Sequence, residues 1–419
     1  MTTFIIFGWL ALLLILWVWQ HELLRRTWRE PYFAVPPVVI ESDDWGPGGE
    51  HHAERLRQLL RMLARHRDCR GQPAILTANI VLAVPDTKAI CANGYSDIVR
   101  RWLDTDFPDI LEVMREGQDN RTFDPQLHGL EHLHTPGLMR LAREGDGEAR
   151  RIFDEPDWWD WESLSSPRQA HYVDGTQLPT VPLNREDRVA TVDEAIRVFQ
   201  RCFGFAPRST VAPCYLWDAE VEDIWRDVGI LTIQTLGYRC PERDAQGSYR
   251  RDLDLLRPGD RAASGHVYSV RNILYEPVDG KGVSLGRRQI RSALWQALPI
   301  VFTTHRYNFT RSLAEHECAV TGLDDLLNHL GRLAPRRCFM GSDQLGDWLR
   351  GPPLATQWIG IWKLPAFLAR LFIRHRKLRL GVMITGLVLP IGLTAVLVAA
   401  ARLVSHQYNA PYPNGRDGS

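Results

Sequence analysis

Short apolar, β-branched segments alternate with amphipathic segments through the central part of the chain. Five segments have the composition of buried strands with polar ends: residues 38–42, 74–84, 209–213, 230–235 and 299–305. Apolar residues recur at helical spacing in five others: residues 53–66, 137–145, 192–203, 218–229 and 322–333. This alternation predicts a parallel sheet with helices outside it, as an open sheet or a barrel, with chemistry at the carboxyl ends of the strands.

Both ends of the chain are apolar. Residues 4–19 are uncharged, and residues 380–400 are long enough to cross a bilayer, where Pro390 is tolerated within a helix. No Lys or Arg precedes the first segment and no A-x-A site follows it. We therefore expect a membrane anchor rather than a cleaved signal peptide.

The charges beside these segments predict an orientation. Basic residues follow the first segment and precede the second: Arg25, Arg26, Arg29, Arg370, Arg374, Arg376, Lys377 and Arg379. Both groups lie on the side of the central domain, so the positive-inside rule places that domain in the cytoplasm and both termini outside. We expect a protein of the bacterial inner (cytoplasmic) membrane with two transmembrane helices.

These observations divide the chain into five parts. We expect an anchor with a basic juxtamembrane segment in residues 1–35 and a catalytic domain in 36–350, followed by segment 351–379, a second transmembrane helix in 380–404 and a disordered tail in 405–419. Segment 351–379 mixes aromatic, aliphatic and basic residues. It either lies in the headgroup plane as an amphipathic segment or packs as a buried surface helix.

Composition excludes several classes of protein. The 419 residues carry 50 basic and 50 acidic side chains, and this zero net charge argues against nucleic acid as a partner. Seven cysteines without a CxxC pair indicate mostly free thiols and a reducing compartment rather than a disulfide framework. The chain has no P-loop, and no GxGxxG follows a strand, so nothing indicates a nucleotide cofactor.

The candidate chemistry lies at predicted strand ends. Asp43 and Asp44 end the first strand, although adjacent carboxylates repel each other and a regular strand points them to opposite faces. His128 and His132 are four residues apart, so on a helical turn both imidazoles would face one divalent cation. Two histidines and a carboxylate leave one position open for water, the pattern of catalytic zinc. By itself, the histidine spacing also fits a pair of surface histidines.

The motifs SDDWG, HGLEH, VAPCY and FTTH, in this order, resemble the polysaccharide deacetylase (NodB-homology) family, carbohydrate esterase family 4. The similarity covers about residues 36–310 and is strongest at the first two motifs, and the HGLEH segment resembles a branch labelled "polysaccharide (de)acetylase". It implies an α/β fold, an irregular parallel (β/α) barrel of deformed TIM type. With the two apolar ends, the expected architecture is such a barrel flanked by N- and C-terminal transmembrane helices.

The resemblance also implies roles for individual residues. Asp43 matches the catalytic base and His305 the general acid, while Asp44, His128 and His132 match the ligands of one divalent metal, Zn²⁺ before Co²⁺, Ni²⁺ or Mn²⁺. The residues expected beside the substrate or the developing oxyanion are Pro213, Cys214, Tyr215, Trp217 and Trp45.

Two positions depart from the family pattern. The Arg that stands two residues before the motif Pro is replaced by Val211, so Arg208 or another base must compensate, or the activity is altered. The Asp-containing motif that tunes the acid His has no clear counterpart. Arg271, Asn272 and Glu276 lie in the corresponding interval, but the sequence alone assigns them no roles.

One further cluster combines tryptophan with acidic residues. Residues 154–163 read DEPDWWDWES and contain Trp158, Trp159 and Trp161. Indole rings stack on sugar rings, but three tryptophans are equally compatible with an ordinary lid or core. Glu131 and His134, beside the histidine motif, are expected to support the ligands or face solvent rather than to bind metal.

The sequence therefore predicts a membrane-anchored, metal-dependent deacetylase that releases acetate from an amino sugar. The expected partners are an acetylated polysaccharide or a lipid-linked glycan, together with membrane lipids, and the oligomeric state stays open. The alternative is a non-catalytic carbohydrate-binding or scaffold subunit of an exopolysaccharide assembly with a degenerate site. A glycoside hydrolase fits less well, because it needs two carboxylates about 5–9.5 Å apart across a cleft.

Overall fold

A curled, nine-stranded parallel sheet forms the centre of the protein. The computed structural model describes residues 2–253 and 255–408. The strands of the sheet are β1 (Pro37–Trp45), β2 (Leu76–Ile80), β3 (Phe123–Leu127), β4 (Ser209–Thr210), β5 (Thr232–Thr235), β6 (Val267–Val270), β7 (Ile273–Leu274), β8 (Ile300–His305) and β9 (Cys338–Phe339). Their spatial order is β6-β5-β4-β3-β2-β1-β8-β7, and β9 also pairs with β1.

The order of the strands explains the curling. Strands β6 and β7 lie at opposite ends of the order, yet only Arg271 and Asn272 separate them along the chain. Two residues span only about 10 Å between the flanking Cα atoms. The two edges of the sheet must therefore approach each other, which confirms the predicted irregular parallel barrel.

Helices connect most of the strands. The α-helices of the described residues, including those before the first strand and after the last, are α1 (Thr2–Arg29), α2 (His51–Ala64), α3 (Thr87–Ala92), α4 (Leu103–Asp106), α5 (Pro108–Asp119), α6 (Thr135–Glu144), α7 (Gly147–Asp154), α8 (Arg185–Phe203), α9 (Ala219–Asp227), α10 (Val283–Trp295), α11 (Tyr307–Thr310), α12 (Leu313–Leu333), α13 (Ser342–Arg350), α14 (Leu364–Arg374), α15 (Arg376–Ile384) and α16 (Val388–Tyr408). Three short antiparallel pairs lie outside the main sheet: Ala83–Pro85 with Arg100–Trp102, Val173–Asp174 with Val181–Pro182, and Glu242–Arg243 with Tyr249–Arg250.

All five predicted strands and all five predicted helices contain an element of the expected type. The predicted strand 74–84 is two strands in the structure, because only Leu76–Ile80 joins the main sheet. Four strands, β3, β6, β7 and β9, are not evident from the apolar pattern. Strand β3 reads FDPQL, and its Asp and Pro are residues that strands usually avoid.

The structure divides into two compact units. One comprises Val35–Arg291 and Pro299–Pro352 and contains the sheet and the predicted site residues. The other combines the two ends of the chain with Ser292–Leu298. In this second unit, the buried Arg370 guanidinium donates to the carbonyls of Pro31, Gln296 and Ala297 and pairs with Glu30 at 2.8 Å.

One described helical segment, Phe7–Arg29, is long and apolar enough to cross a membrane, and a signal sequence would meet the same criterion. A single helix is predicted over 380–404, but the structure has two helices there, α15 and α16, whose axes differ in direction by 108°. Only the two helices taken together are long and apolar enough to be a candidate membrane span. Gly386 adopts a left-handed φ of 70° in the break, and Pro390 in the first turn of α16 lacks the N–H needed to continue α15. The helix runs to Tyr408, and residues 409–419 of the predicted tail lie outside the described residues.

Candidate metal centre

A β-bulge at the end of β1 brings both aspartates to one cavity. The pairing of β1 with β2 shifts register between Ser42 and Trp45, and Asp44 takes a left-handed φ of 71°. A bulge interrupts the alternation of side chains between the two faces of a strand and re-aims one of them. As a result, Asp43 and Asp44 line the same cavity, which has a volume of about 190 Å³.

The two predicted histidines converge from a loop. His128 and His132 lie between β3 and α6, outside any helix, so the expectation of a helical turn is wrong. Gly129 turns the chain with a φ of 85°, and the loop still brings the two imidazole centroids within 4.9 Å. His128 donates from Nδ1 to the carbonyl of Val211 at 2.9 Å, which leaves the lone pair of Nε2 available to a metal.

Asp44, His128 and His132 form a candidate metal site. One potential ligand atom from each lies within 4.8 Å of the other two, and all three residues are buried. The Nε2 atoms of His128 and His132 lie 3.4 Å and 3.1 Å from Oδ1 of Asp44. Burial lowers the pKa of His132 to about 3, so this imidazole is neutral, as a metal ligand must be. The donor set and its spacing therefore fit a divalent cation.

The Arg271 guanidinium holds Asp43. It donates from Nη1 and Nη2 to the two carboxylate oxygens at 2.6 Å and 2.7 Å and from Nε to Glu41 at 2.5 Å. The Asn79 amide donates to Asp43 at 2.7 Å. Burial alone would raise the pKa of Asp43, but Arg271 outweighs it and lowers the pKa to about 2. Asp43 is therefore ionised and fixed in position.

His305 ends β8 and faces Asp43 across the cavity. Its Nε2 lies 3.8 Å from Oδ2 of Asp43, and its Nδ1 lies 2.7 Å from Oε1 of Glu276. Asn308 in turn donates to the other carboxylate oxygen of Glu276. Burial would lower the pKa of His305, but the Glu276 carboxylate outweighs it and raises the pKa to about 10. His305 is therefore an imidazolium at neutral pH.

A strained turn forms another wall of the cavity. Cys214 and Tyr215 follow Pro213 with φ values of 53° and 56°, a conformation that costs a residue with a side chain about 1–3 kcal/mol. Both residues line the cavity, whereas Pro213 is buried within the turn. Tyr215 accepts a hydrogen bond from Arg271 at 2.7 Å, so the turn is tied to the residue that holds Asp43.

Two predicted substrate contacts need correction. Trp217 is fully buried, and its indole N–H donates to Glu222 at 3.0 Å. Trp45 is also buried and donates to Ser42 at 2.8 Å. Both indoles are enclosed by protein and have satisfied their polar atom internally, so neither ring is available to a substrate.

The basic residue that holds Asp43 is Arg271 and not Arg208. Arg208 is part-exposed and pairs with Asp347 at 2.9 Å. Arg271 follows β6 at the seam of the barrel, and its side chain reaches β1. The sequence alone assigned no roles to Arg271 and Glu276, because their partners, Asp43 and His305, are more than 28 residues away in the chain.

The tryptophan cluster contributes residues that the motifs did not indicate. Trp158 and Trp161 are buried, which excludes direct stacking of either ring on a sugar. Glu162 lines the cavity beside the aspartates and pairs with Arg306 at 3.1 Å. The cavity wall also includes Ala212 of the VAPCY motif and three further residues absent from the motifs: Gln169, Tyr307 and Arg311.

No protein-family model matches the sequence, and no curated protein is similar to it at a significant level. Solved structures with a similar fold include a family 4 carbohydrate esterase from Streptomyces lividans in complex with acetate, with 10% identity and a TM-score of 0.35 over 74% of this chain and 95% of that one. A CE4 family pseudoenzyme from Bacillus anthracis has 9% identity and a TM-score of 0.35, covering 74% and 66%. A 4-alpha-glucanotransferase from Thermococcus litoralis has 10% identity and a TM-score of 0.40, covering 75% and 40%. These values are low, so the fold and the site rest on the strand order and side-chain geometry described above.

Replacing Arg271 with Met should strongly destabilise the protein. The change leaves the carboxylates of Glu41 and Asp43 buried without their cation, and breaking a buried ion pair in this way costs about 3–5 kcal/mol. The melting temperature of the full chain in detergent measures the effect. Arg208→Met is the matched control, because a part-exposed pair contributes at most about 1 kcal/mol. Equal melting temperatures for the two variants would contradict the role assigned to Arg271.

Proposed function

We propose that the protein is a metal-dependent deacetylase that hydrolyses the N-acetyl amide of an amino sugar. One observation carries this proposal: an ionised carboxylate, a protonated imidazole and a candidate metal triad line the same cavity. In amide hydrolysis a base can deprotonate the attacking water, a Lewis acid can polarise the carbonyl, and an acid can protonate the leaving amine.

Asp44, His128 and His132 would hold the divalent cation, with Zn²⁺ as the first choice and Co²⁺, Ni²⁺ or Mn²⁺ as alternatives. When bound, such an ion polarises the amide carbonyl and activates a water molecule. The local charge agrees with this assignment. Asp43 is paired with Arg271, whereas Asp44 lines the cavity and has no Arg or Lys paired with it among the described residues, so a bound cation would balance its charge.

Asp43 would act as the general base. Arg271 keeps it ionised, and its hydrogen bonds to Arg271 and Asn79 fix the orientation of the carboxylate beside the metal site. The carboxylate can therefore accept the proton of the attacking water without first reorganising.

His305 would act as the general acid. Because Nδ1 is held by Glu276, the proton on Nε2 is the one that faces the cavity and can pass to the leaving amine. The backbone N–H of Cys214 is our candidate donor to the developing oxyanion. The Tyr215 N–H donates instead to the Ala212 carbonyl within the turn, at 2.9 Å.

The non-catalytic alternative loses its original support. It rested on the absent Arg and the absent partner of the acid His, and Arg271 and Glu276 supply both interactions from other positions. An intact set of charged partners around the aspartates and His305 is difficult to explain for a decayed site, since buried charges are costly to keep without a function.

We also propose that the enzyme is anchored in the bacterial inner membrane and acts on either a lipid-linked amino sugar or a polysaccharide. The apolar segment Phe7–Arg29 supports the anchor. In the unit that combines the two ends of the chain, exposed apolar side chains in the segment before and within α14, including Ile359, Ile361 and Ile373, would suit an interfacial position. Basic residues beside the two apolar ends would attract the anionic phosphate of a lipid-linked substrate and favour the cytoplasmic face.

The adjacent aspartates should give different phenotypes. Asp43→Asn should lower acetate release from N-acetylglucosamine oligomers by about 10²–10⁴-fold, because the general base is lost, and should retain the metal. Asp44→Asn should lose the metal because it removes a ligand. Elemental analysis of the purified full chain and an acetate assay with and without chelator measure both effects.

Asp109→Asn, exposed at the start of α5, serves as the control and should change neither quantity. Full activity of Asp43→Asn would remove the base from the proposal. A metal-loaded wild-type protein that releases no acetate from these oligomers or from a lipid-linked N-acetyl sugar would refute the function itself.

Glu276→Gln should shift the alkaline limb of the pH–activity profile. Activity requires protonated His305, so kcat/KM falls as the pH rises through its pKa of about 10. Without the Glu276 carboxylate this limb should move from near pH 10 toward pH 6.5. The stability that this ion pair contributes is present in full below pH 6.5 and is lost as the pH rises through about 10. Glu317→Gln, exposed on α12, should leave the limb in place, and an unshifted limb in Glu276→Gln would disprove the assigned acid.

Reporter fusions test the proposed orientation. Alkaline phosphatase fused to either terminus should be active and green fluorescent protein at the same positions should be dark, because both termini are expected outside the cytoplasm. Fluorescence at either terminus, with inactive phosphatase there, would overturn this orientation and would exclude the topology in which the central domain alone is cytoplasmic.

A further inference from the structure

Trp161 contacts two of the three candidate metal ligands. Its indole N–H donates to Oδ1 of Asp44 at 3.3 Å, and its ring stacks with the His132 imidazole at a centroid distance of 6.1 Å and an interplanar angle of 21°. Trp161 is fully buried, so these contacts with the ligands are made inside the protein rather than at its surface.

Arg306 connects the Trp161 segment to the strand ends that carry the site. Its guanidinium lies 4.3 Å from the centroid of the Trp161 ring, donates to the Pro47 carbonyl at 2.6 Å and pairs with Glu162. Its backbone N–H donates to the carbonyl of Asp43 at 3.0 Å. The buried Arg306 follows His305 directly in the chain. The Trp161 ring is therefore fixed relative to β1 and β8 by a cation–π contact and by the hydrogen bonds of Arg306.

These contacts constrain the ligand side chains. Oδ1 of Asp44 is the atom that lies nearest the Nε2 atoms of both histidines, and the indole N–H donates to that same atom. A hydrogen bond from a fixed ring limits rotation of the carboxylate. The stack similarly limits tilting of the His132 ring, whose Nδ1 has no hydrogen-bond partner among the described residues. Ligands held in this way lose less freedom when a cation binds.

We propose that Trp161 is a positioning residue of the metal centre, which orients Asp44 and His132 for a divalent cation. The role is supplied from the acidic tryptophan segment, outside the four motifs that carry the candidate ligands and the acid–base pair. It rests on the metal site of the proposed function. Partners of this type typically contribute 10–100-fold to metal affinity.

The affinity of the full chain for Zn²⁺ tests this role, measured by competition with a chromophoric chelator. Trp161→Phe keeps an aromatic ring for the stack but removes the N–H donor, so it should raise the Zn²⁺ Kd by about 10–100-fold. Its melting temperature without metal should fall no further than that of Trp158→Phe, since both changes shrink a buried indole ring. The Co²⁺-loaded variant should also show an altered visible spectrum, because Asp44 is released from its fixed orientation.

Trp158→Phe is the matched control, since Trp158 is a buried tryptophan of the same segment. It should leave the Kd unchanged. Equal affinity in Trp161→Phe and the wild type, or equal weakening in both variants, would overturn the positioning role while leaving the proposed function intact. A wild-type chain that binds no divalent cation would instead refute the metal site and this inference together.

A measurement on the wild-type chain covers the case in which Trp161→Phe fails to fold. The chain has fifteen tryptophans, and the indole N–H of Trp161 can be recognised in a ¹H–¹⁵N spectrum by slow exchange with solvent and by cross-peaks to the imidazole protons of His132. Zn²⁺ should shift this resonance. Metal binding without any change in this resonance would contradict the inference.

Discussion

The pairing of Arg271 with two buried carboxylates is the interaction on which the rest of the site depends. Glu41 and Asp43 are buried, and Arg271 favours the ionised form of each carboxyl group against the cost of burial. The guanidinium meets both with separate N–H groups, and Gln234 and Thr303 satisfy further donors at 2.9 Å and 3.2 Å. The planar fork of Arg suits this task, because a Lys ammonium could not bond Asp43 through two parallel N–H groups and still reach Glu41.

The position of Arg271 links the closure of the fold to the chemistry. It is one of only two residues between strands at opposite edges of the sheet, so the chain passes through it where the barrel closes. Its interactions with β1 and with Thr303 of β8 therefore bring the seam against the strands that end in Asp43 and His305. In a parallel barrel all strand ends converge on one rim, so a guanidinium can reach the same carboxylate from several strands. Asp43 therefore has a guanidinium partner although Val211, two residues before Pro213, cannot supply one.

The sequence predicted the local parts of this arrangement better than the distant ones. The strand that ends in Asp43 and Asp44, the histidine pair and the strand that ends in His305 are each short segments whose residue types limit the possible chemistry. The partners Arg271 and Glu276 depend on which strands become neighbours, and apolar periodicity does not contain that information. The histidine loop shows a different failure, because spacing alone suggested a helix and Gly129 provides a turn instead. Trp217 was misplaced because a tryptophan near a motif can face the cavity or the core, and Glu222 supplies a buried acceptor for its N–H.

Different partners explain why two adjacent carboxylates can both be ionised. Burial opposes ionisation of each, but Arg271 lowers the pKa of Asp43, and hydrogen bonding to the His128 imidazole helps to lower the pKa of Asp44. The bulge at Asp44 makes this separation possible, because it directs the second side chain toward the histidine loop while the first stays with the guanidinium. The N–H groups of Arg271 point to Asp43 and Glu41, so Asp44 has no permanent cation of its own. The position with two imidazole nitrogens and a carboxylate without an Arg partner is therefore the one suited to a metal ion, and the carboxylate held by Arg271 is the one suited to accept a proton.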